Sequence, residues 1–408
     1  MGDIIARGLA KKIAINPNLY QTPYDAIIAN PDTDLFMCIG DSLTAIGIGY
    51  IYFIKNTLVN SGYDVEVNRL AVSGYRIGDM YTYVKNNLST FPNAKVFTIL
   101  LGTNDTKTSN GNTWFSRSNS KFYYTKMIEC LKEQRPSCDI RIVQIPWIRA
   151  DTTDDTFLPH VTWLENKDGI NQIIRSIARK YGMPEAPDLY STTEGMDDYY
   201  IYDGLHFSEY GQKHIAPTFV NLIKQIPTYT ADRDFLTGRD YTITGATISG
   251  AYPDWVGNAS TNYMKKLTNG AFYTLDSDLS LSQQIGYLMN DNGGDGATVN
   301  VEVSFDFNED VVLNDVSFYT GNFNSPLYSA KKISIYSFDG TDYFLEGEIT
   351  PEIENPYYSI LGFFNSYTPD KPFATRGLKI IYEHTFIQVG GDWFIIGEIA
   401  ATRLQNYS

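Results

Sequence analysis

Ser42 lies where the apolar run FMCIG gives way to a helical pattern, in the order Gly40-Asp41-Ser42-Leu43-Thr44. A serine at such a turn exposes its hydroxyl while the helix start supplies positive potential, a combination that suits a nucleophile. A serine that only caps the helix would read the same way. Asp203-Gly204-Leu205-His206 puts a carboxylate three residues before an imidazole, with a glycine between them. That spacing lets the aspartate hold Nδ1–H while Nε2 faces a nucleophile, although Asp-x-x-His can equally be a surface hydrogen bond. Among His160, His206, His214 and His384, only His206 has this arrangement. Asn104, in Gly102-Thr103-Asn104-Asp105, offers an amide that can donate to an oxyanion. Gly74, after LAVS, offers a backbone N–H with no side chain in the way. Both are also ordinary loop residues. Asp41 and Asp105 are expected to hold their own turns through their side chains.

These groups need a scaffold that brings distant loops together. From residue 34 to about 226, DLFMCIG, VEVNRLAV, KVFTILLG and DIRIVQIPW read as buried strands rich in β-branched residues. Helical patterns lie between and after them, roughly Leu43 to Asn60, Gly78 to Leu88, Ser116 to Gln134, Trp163 to Tyr181 and Ser208 to Ile226. Strand and helix alternating in this way predict a parallel sheet covered on both faces. Ligand sites in such sheets lie beyond the carboxyl ends of the strands, where Ser42, Gly74 and Asn104 fall.

Taken in order, the blocks Gly40-Asp41-Ser42-Leu43, Ser73-Gly74, Gly102-Thr103-Asn104-Asp105 and Asp203-Gly204-Leu205-His206 resemble those of the SGNH (GDSL) hydrolase family, over about residues 32–228. The resemblance implies an α/β three-layer, flavodoxin-like fold. It implies Ser42 as nucleophile, His206 as base and Asp203 as the residue that orients it. The oxyanion hole would be formed by Ser42 N–H, Gly74 N–H and the Asn104 side chain. No metal or other cofactor is expected in catalysis. The nucleophile context G-D-S-L-T differs from the G-x-S-x-G elbow of the α/β-hydrolases.

After PTYTADRD the pattern changes to YTITGATIS, VNVEVSFDF, DVVLNDVSFY, KKISIYSFDGTDYFLEGEI, GLKIIYEH and DWFIIGEIA, which predict an all-β sandwich. Residues 229–408 carry 10 Lys+Arg against 23 Asp+Glu, a net of -13, while residues 1–228 are near balance at -2. The expected organisation is therefore an extension over 1–31, a hydrolase domain over 32–228 and a β domain over 229–408. The last resembles the galactose-binding-like, discoidin or factor V/VIII C-type jelly roll. That superfamily often carries a structural calcium, and this half is acidic, with Asn269, Asp291 and Asp295 in loops, although the sequence does not single out which oxygens would ligate one. Tyr252, Trp255 and Trp393 are either sugar-stacking aromatics or core residues.

Composition bounds the partners. The 408 residues are 43% hydrophobic and 19% charged, which is globular rather than disordered composition. The net charge of -15 opposes nucleic acid and anionic membranes. Three cysteines without CxxC spacing support neither a disulfide framework nor a zinc cluster. No 18-residue apolar window is present, so membrane insertion is not expected, and the first residues lack a secretory signal pattern. Ile5, Leu9 and Ile13 recur every four residues, so residues 1–31 are expected to supply a short amphipathic helix that either docks on sister chains or a virion tail partner or packs on its own domain. IARGLA is similar to the openings of some phage tail or baseplate proteins. The function expected from all of this is O-acetyl removal from a polysaccharide, extracellular or virion-associated, with a host surface glycan as substrate. The rivals are a noncatalytic carbohydrate-binding adhesin and a lipase or thioesterase of the same family.

Overall fold

The computed structural model describes residues 36–47, 49–61, 66–106, 108–109, 112–113, 117–149, 169–201, 203–244, 285–289, 298–320, 330–351, 363–385 and 392–407. The expected docking helix of residues 1–31, His160, Tyr252, Trp255, Asn269, Asp291 and Asp295 lie outside them, as does the side chain of Trp393. The chain divides into two compact units, Met1–Thr228 and Tyr229–Ser408. No described helix is long and apolar enough to cross a membrane.

The first unit is built on four parallel strands, β1 (Phe36–Gly40), β2 (Val67–Ala71), β3 (Val96–Leu100) and β4 (Asp139–Val143), in the order β2-β1-β3-β4. Its helices are α1 (Ser42–Ala45), α2 (Tyr50–Asn60), α3 (Ile77–Asn87), α4 (Arg117–Gln134), α5 (Ile170–Lys180), α6 (Leu189–Thr193) and α7 (Glu209–Leu222). The alternation of side chains along each strand divides the core in two. Met37, Ile39, Phe97, Ile99, Ile140 and Ile142 pack against α3, α4 and α5. Phe36, Cys38, Val96 and Val143 pack on the opposite face against α2 and α7. With both faces covered, the central strands β1 and β3 read as near-continuous apolar runs, while the edge strands β2 and β4 carry polar residues, and the unit is a three-layer α/β fold. Tyr50 and Phe219 stack at 4.3 Å between α2 and α7, and Gln212 Oε1 accepts from Tyr50 N–H at 2.7 Å. Burial pushes the Cys38 thiol up to about 12, so this cysteine is a small core residue rather than a reactive one.

One expected helix is two. The pattern from Leu43 to Asn60 breaks after Ala45, where Ile46 is extended (φ -60°, ψ 138°) and Gly47 and Gly49 follow. Glycines lose more chain entropy than other residues in a helix, so two in three residues favour the break. Helix α6 is too short to show as a periodic pattern; Asp188 starts it by accepting from Ser191 N–H at 3.0 Å.

The second unit is antiparallel. Its strands are β5 (Thr230–Asp232), β6 (Thr242–Thr244), β7 (Ile285–Met289), β8 (Thr298–Thr320), β9 (Lys332–Phe338), β10 (Tyr343–Ile349), β11 (Phe363–Tyr367), β12 (Phe373–Thr385) and β13 (Asp392–Gln405). They pair in the order β10-β9-β12-β8-β13-β5, with β6 and β11 also on β8 and β7 on β13. VNVEVSFDF and DVVLNDVSFY are one bent strand rather than two. Its first half pairs with β12 and β6. Beyond a bulge between Asp306 and Val311 it pairs chiefly with β13 and β11. Asn308 takes the left-handed conformation there (φ 55°), and its N–H donates to Asp306 Oδ1 at 3.0 Å. A strand that bends at a bulge and changes partners can serve both layers of a β-sandwich, and Val301, Val303, Phe305, Leu313, Val316 and Phe318 from its two halves share one core.

Candidate active site

Parallel pairing sets three loops side by side. Gly40 is level with Ala71 on one side and Leu100 on the other. The chain therefore leaves β1, β2 and β3 at the same height, and Ser42, Gly74 and Asn104 follow within four residues. Gly40 must lack a side chain, because a Cβ would collide with the Thr44 hydroxyl and the Leu100 carbonyl oxygen.

Ser42 opens α1. Asp41 caps that turn by accepting from Leu43 N–H at 3.0 Å, the local task expected of it. Helix α1 has only four residues, and Asp41 takes the N–H groups of Leu43, Thr44 and Ala45, so the turn offers the N–H of Ser42 itself rather than the dipole of a long helix. Asp41 is fully buried, and desolvation pushes its carboxyl up to about 6.

Ser42 Oγ lies 2.9 Å from His206 Nε2, and His206 Nδ1 lies 2.7 Å from Asp203 Oδ2. The other carboxylate oxygen, Oδ1, accepts from the N–H groups of Leu205 and His206, each at 2.9 Å. Burial pushes the Asp203 carboxyl upward, but the bonds from the His206 ring, His206 N–H and Leu205 N–H outweigh it and hold the group below its ordinary value. An ionised Asp203 fixes Nδ1–H on its own side and leaves Nε2 to accept the serine proton. The structure thus joins Ser42, His206 and Asp203, 164 residues apart between serine and histidine, in one hydrogen-bonded chain.

Asn104 is buried, and its Nδ2 donates to Tyr75 O at 3.1 Å. An amide has two N–H bonds, so this contact leaves one for another acceptor. Gly74, next to Tyr75, has φ 81°, a conformation that favours glycine, and it is exposed. The two residues are therefore linked through the Tyr75 carbonyl. Asp105 departs from expectation: it does not hold its own turn but reaches Ile77 N–H, which donates to its Oδ2 at 3.1 Å.

The loop carrying the histidine is framed by residues that sequence reading missed. The run DIRIVQIPW leaves the sheet at Val143, and the segment beyond it becomes a brace. Arg149 N–H donates to Gly204 O at 2.9 Å, Trp147 N–H to Thr193 Oγ1 at 2.9 Å, and the Tyr200 hydroxyl to Trp147 O. Tyr200 and Phe207 form a bridge that closes the loop, while Ile201 N–H donates to His206 O at 2.9 Å. Pro146, which cannot donate to a ladder, was the available signal that the strand ends early.

Desolvation pushes the buried Asp105 carboxyl up to about 7 from 3.8. Between those values the folded state binds more protons at this position than the unfolded state, so its contribution to stability falls as pH rises through that window. Asp105→Asn removes the titration. The melting temperature of the variant relative to the natural chain is expected to rise from pH 4 to pH 7, and a difference that stays level or declines would contradict the burial argument.

The model of the GDSL-like Lipase/Acylhydrolase family matches residues 38–214. No curated protein sequence matches the chain. Among solved structures, the chain is similar to the acetyl xylan esterase AlAXEase, at 19% identity over 46% of this chain and 98% of that one, with a TM-score of 0.36. It is also similar to a catalytic mutant of an acetylxylan esterase from Geobacillus stearothermophilus, at 14% identity over 48% of this chain and 94% of that one, with a TM-score of 0.36. A third similarity is to the family 32 CBM from C. perfringens NanJ in complex with galactose, at 16% identity over 43% of this chain and 98% of that one, with a TM-score of 0.25. The family match runs from Cys38, inside β1, to His214, inside α7, and so takes in Ser42, Asp203 and His206; residues 38–214 form a GDSL-like lipase/acylhydrolase domain of the SGNH type.

Proposed function

We propose that the chain is a serine esterase that removes O-acyl groups, in the first place O-acetyl groups, from a polysaccharide. The observation that carries the reaction type is the Ser42 Oγ to His206 Nε2 distance of 2.9 Å with Asp203 behind the ring. Ser42 Oγ attacks the acyl carbonyl carbon as its proton passes to His206 Nε2. Ser42 N–H, Gly74 N–H and the Asn104 amide donate to the oxyanion of the tetrahedral intermediate. His206 returns the proton to the sugar oxygen as the ester bond breaks, leaving the acyl group on Ser42. Water then attacks that acyl carbon, its proton going to His206 and from there to Ser42 Oγ, and the carboxylic acid departs.

The substrate reading rests on the pairing of this domain with a separate β-sandwich unit whose sequence resembles galactose-binding-like modules. Among the described residues, an added Cβ at Gly74 would meet nothing within 4 Å. A host surface glycan is the polymer that fits the virion setting suggested by IARGLA. Acetate release from a panel of acetylated glycans, by the full chain and by residues 1–228, tests this reading. Both should release acetate, with the full chain favoured on polymers. A preference for long-chain acyl esters over every acetylated glycan would overturn the substrate class.

Asn104→Ala is expected to lower kcat by about 10²–10³ with KM little changed, because an oxyanion donor acts on the transition state rather than on bound substrate. Steady-state kinetics on p-nitrophenyl acetate check it, and a change confined to KM would place Asn104 in ground-state binding instead.

A further inference from the structure

We infer that Asp105 is a positioning residue of the oxyanion hole, tying the loop that carries Gly74 to the loop that carries Asn104; this rests on the esterase reading above. The turn that contains Asp105 does not use its side chain. It is closed by the backbone bond from Asp105 N–H to Gly102 O at 3.1 Å and by the Thr106 hydroxyl on Thr103 O at 2.7 Å. The carboxylate instead crosses to the other loop and takes Ile77 N–H at 3.1 Å, while Ser120 Oγ of α4 lies 3.5 Å from its second oxygen.

Ile77 is the first residue of α3, and its N–H is one of the donors that a helix start leaves unpaired. Asp79 caps this helix start itself, its Oδ2 accepting from Arg76 N–H at 3.1 Å and from Arg76 Nε at 3.2 Å, so the bond to Asp105 is additional to it. One residue earlier in the β3 loop, Asn104 Nδ2 donates to Tyr75 O at 3.1 Å. Adjacent residues 104 and 105 therefore grip Tyr75 and Ile77 through two bonds. Gly74 and Asn104, the two donors supplied by different loops, are held in fixed relation by that pair. The Asn104 bond uses the group that must face the oxyanion, whereas the Asp105 bond bears on geometry alone.

Kinetics of variants, together with crystal structures, test the assignment. Asp105→Ala should lower kcat on p-nitrophenyl acetate by about 10–100-fold, the scale expected when a donor is displaced by about 1 Å, with KM little changed. Asp105→Asn, whose amide oxygen can still accept from Ile77 N–H, should restore most of that loss. In the crystal structure of Asp105→Ala, the Gly74–Ile77 segment should have moved so that Asn104 Nδ2 no longer reaches Tyr75 O.

Ile77→Pro removes the same bond from the donor side and keeps the test open if Asp105→Ala does not fold. Proline suits the first helical position, and Arg76 at ψ 174° tolerates a following proline. The same fall in kcat is expected of it. Natural kcat in either folded variant, or an unmoved Tyr75 carbonyl, would overturn the inference. A natural chain with no esterase activity would instead sink the functional reading, and the crystal structures would still decide the anchoring.

Discussion

Purified Ser42→Ala is expected to lose about 10⁶ in kcat on p-nitrophenyl acetate, the scale seen when a triad enzyme loses its nucleophile. The fold should survive. Ser42 is only partly buried at the start of a four-residue helix, and the turn beneath it is closed by Asp41, whose side chain takes Leu43 N–H and whose carbonyl takes the N–H groups of Thr44 and Ala45. Alanine at this position gives up the hydrogen bond to His206 Nε2 and leaves those bonds of the turn in place. A change at such a position is usually within about 0.5 kcal/mol, so the melting temperature should hardly move. Turnover near the natural rate would remove Ser42 from the reaction. A matching fall in melting temperature would mean that the activity was lost through the fold.

The sequence made the site legible because its parts are local. Gly40-Asp41-Ser42 and Asp203-x-x-His206 each fit within a single turn, and the strands before Ser42 and Asn104 are fully buried apolar runs of the kind a doubly covered parallel sheet requires. What it hid is long-range and polar. The Asp105 bond to Ile77 spans 28 residues, the Gln212 bond to Tyr50 spans 162, and Asn171 clamps both polar groups of Ile145 from 26 residues away. No periodicity announces such bonds, since each depends on which loops the sheet order brings together. Asp105 shows the cost of reading locally: an aspartate in a turn is expected to hold that turn, yet backbone bonds already close it. The single strand Thr298–Thr320 was hidden for the opposite reason. Asn308-Glu309-Asp310 looks like a chain reversal, but the β8 ladder continues on its far side against new partners.

Asp203→Asn should separate the electrostatic task of that residue from its structural one. The amide oxygen can go on accepting from the Leu205 and His206 N–H groups that Oδ1 holds now, so the loop and the melting temperature at neutral pH should be largely kept. The amide nitrogen, however, would face His206 Nδ1 as a donor. That selects the tautomer with its proton on Nε2, which cannot take the proton from Ser42, and a fall of about 10⁴ in kcat is expected. Asp203→Ala should lose as much activity and stability as well, because two backbone N–H groups then lack their acceptor. The pH dependence has a defined sign. The carboxyl of Asp203 is held below its ordinary value, so it adds stability above the unfolded pKa and loses that contribution as pH falls through the folded one. The natural chain should accordingly lose more stability on acidification than Asp203→Asn, a difference readable by thermal melts between about pH 5 and pH 2. Equal acid sensitivity of the two would mean that the His206 and backbone bonds do not hold the carboxylate in the ionised form, and a kcat near the natural value in Asp203→Asn would mean that His206 keeps its working tautomer without it.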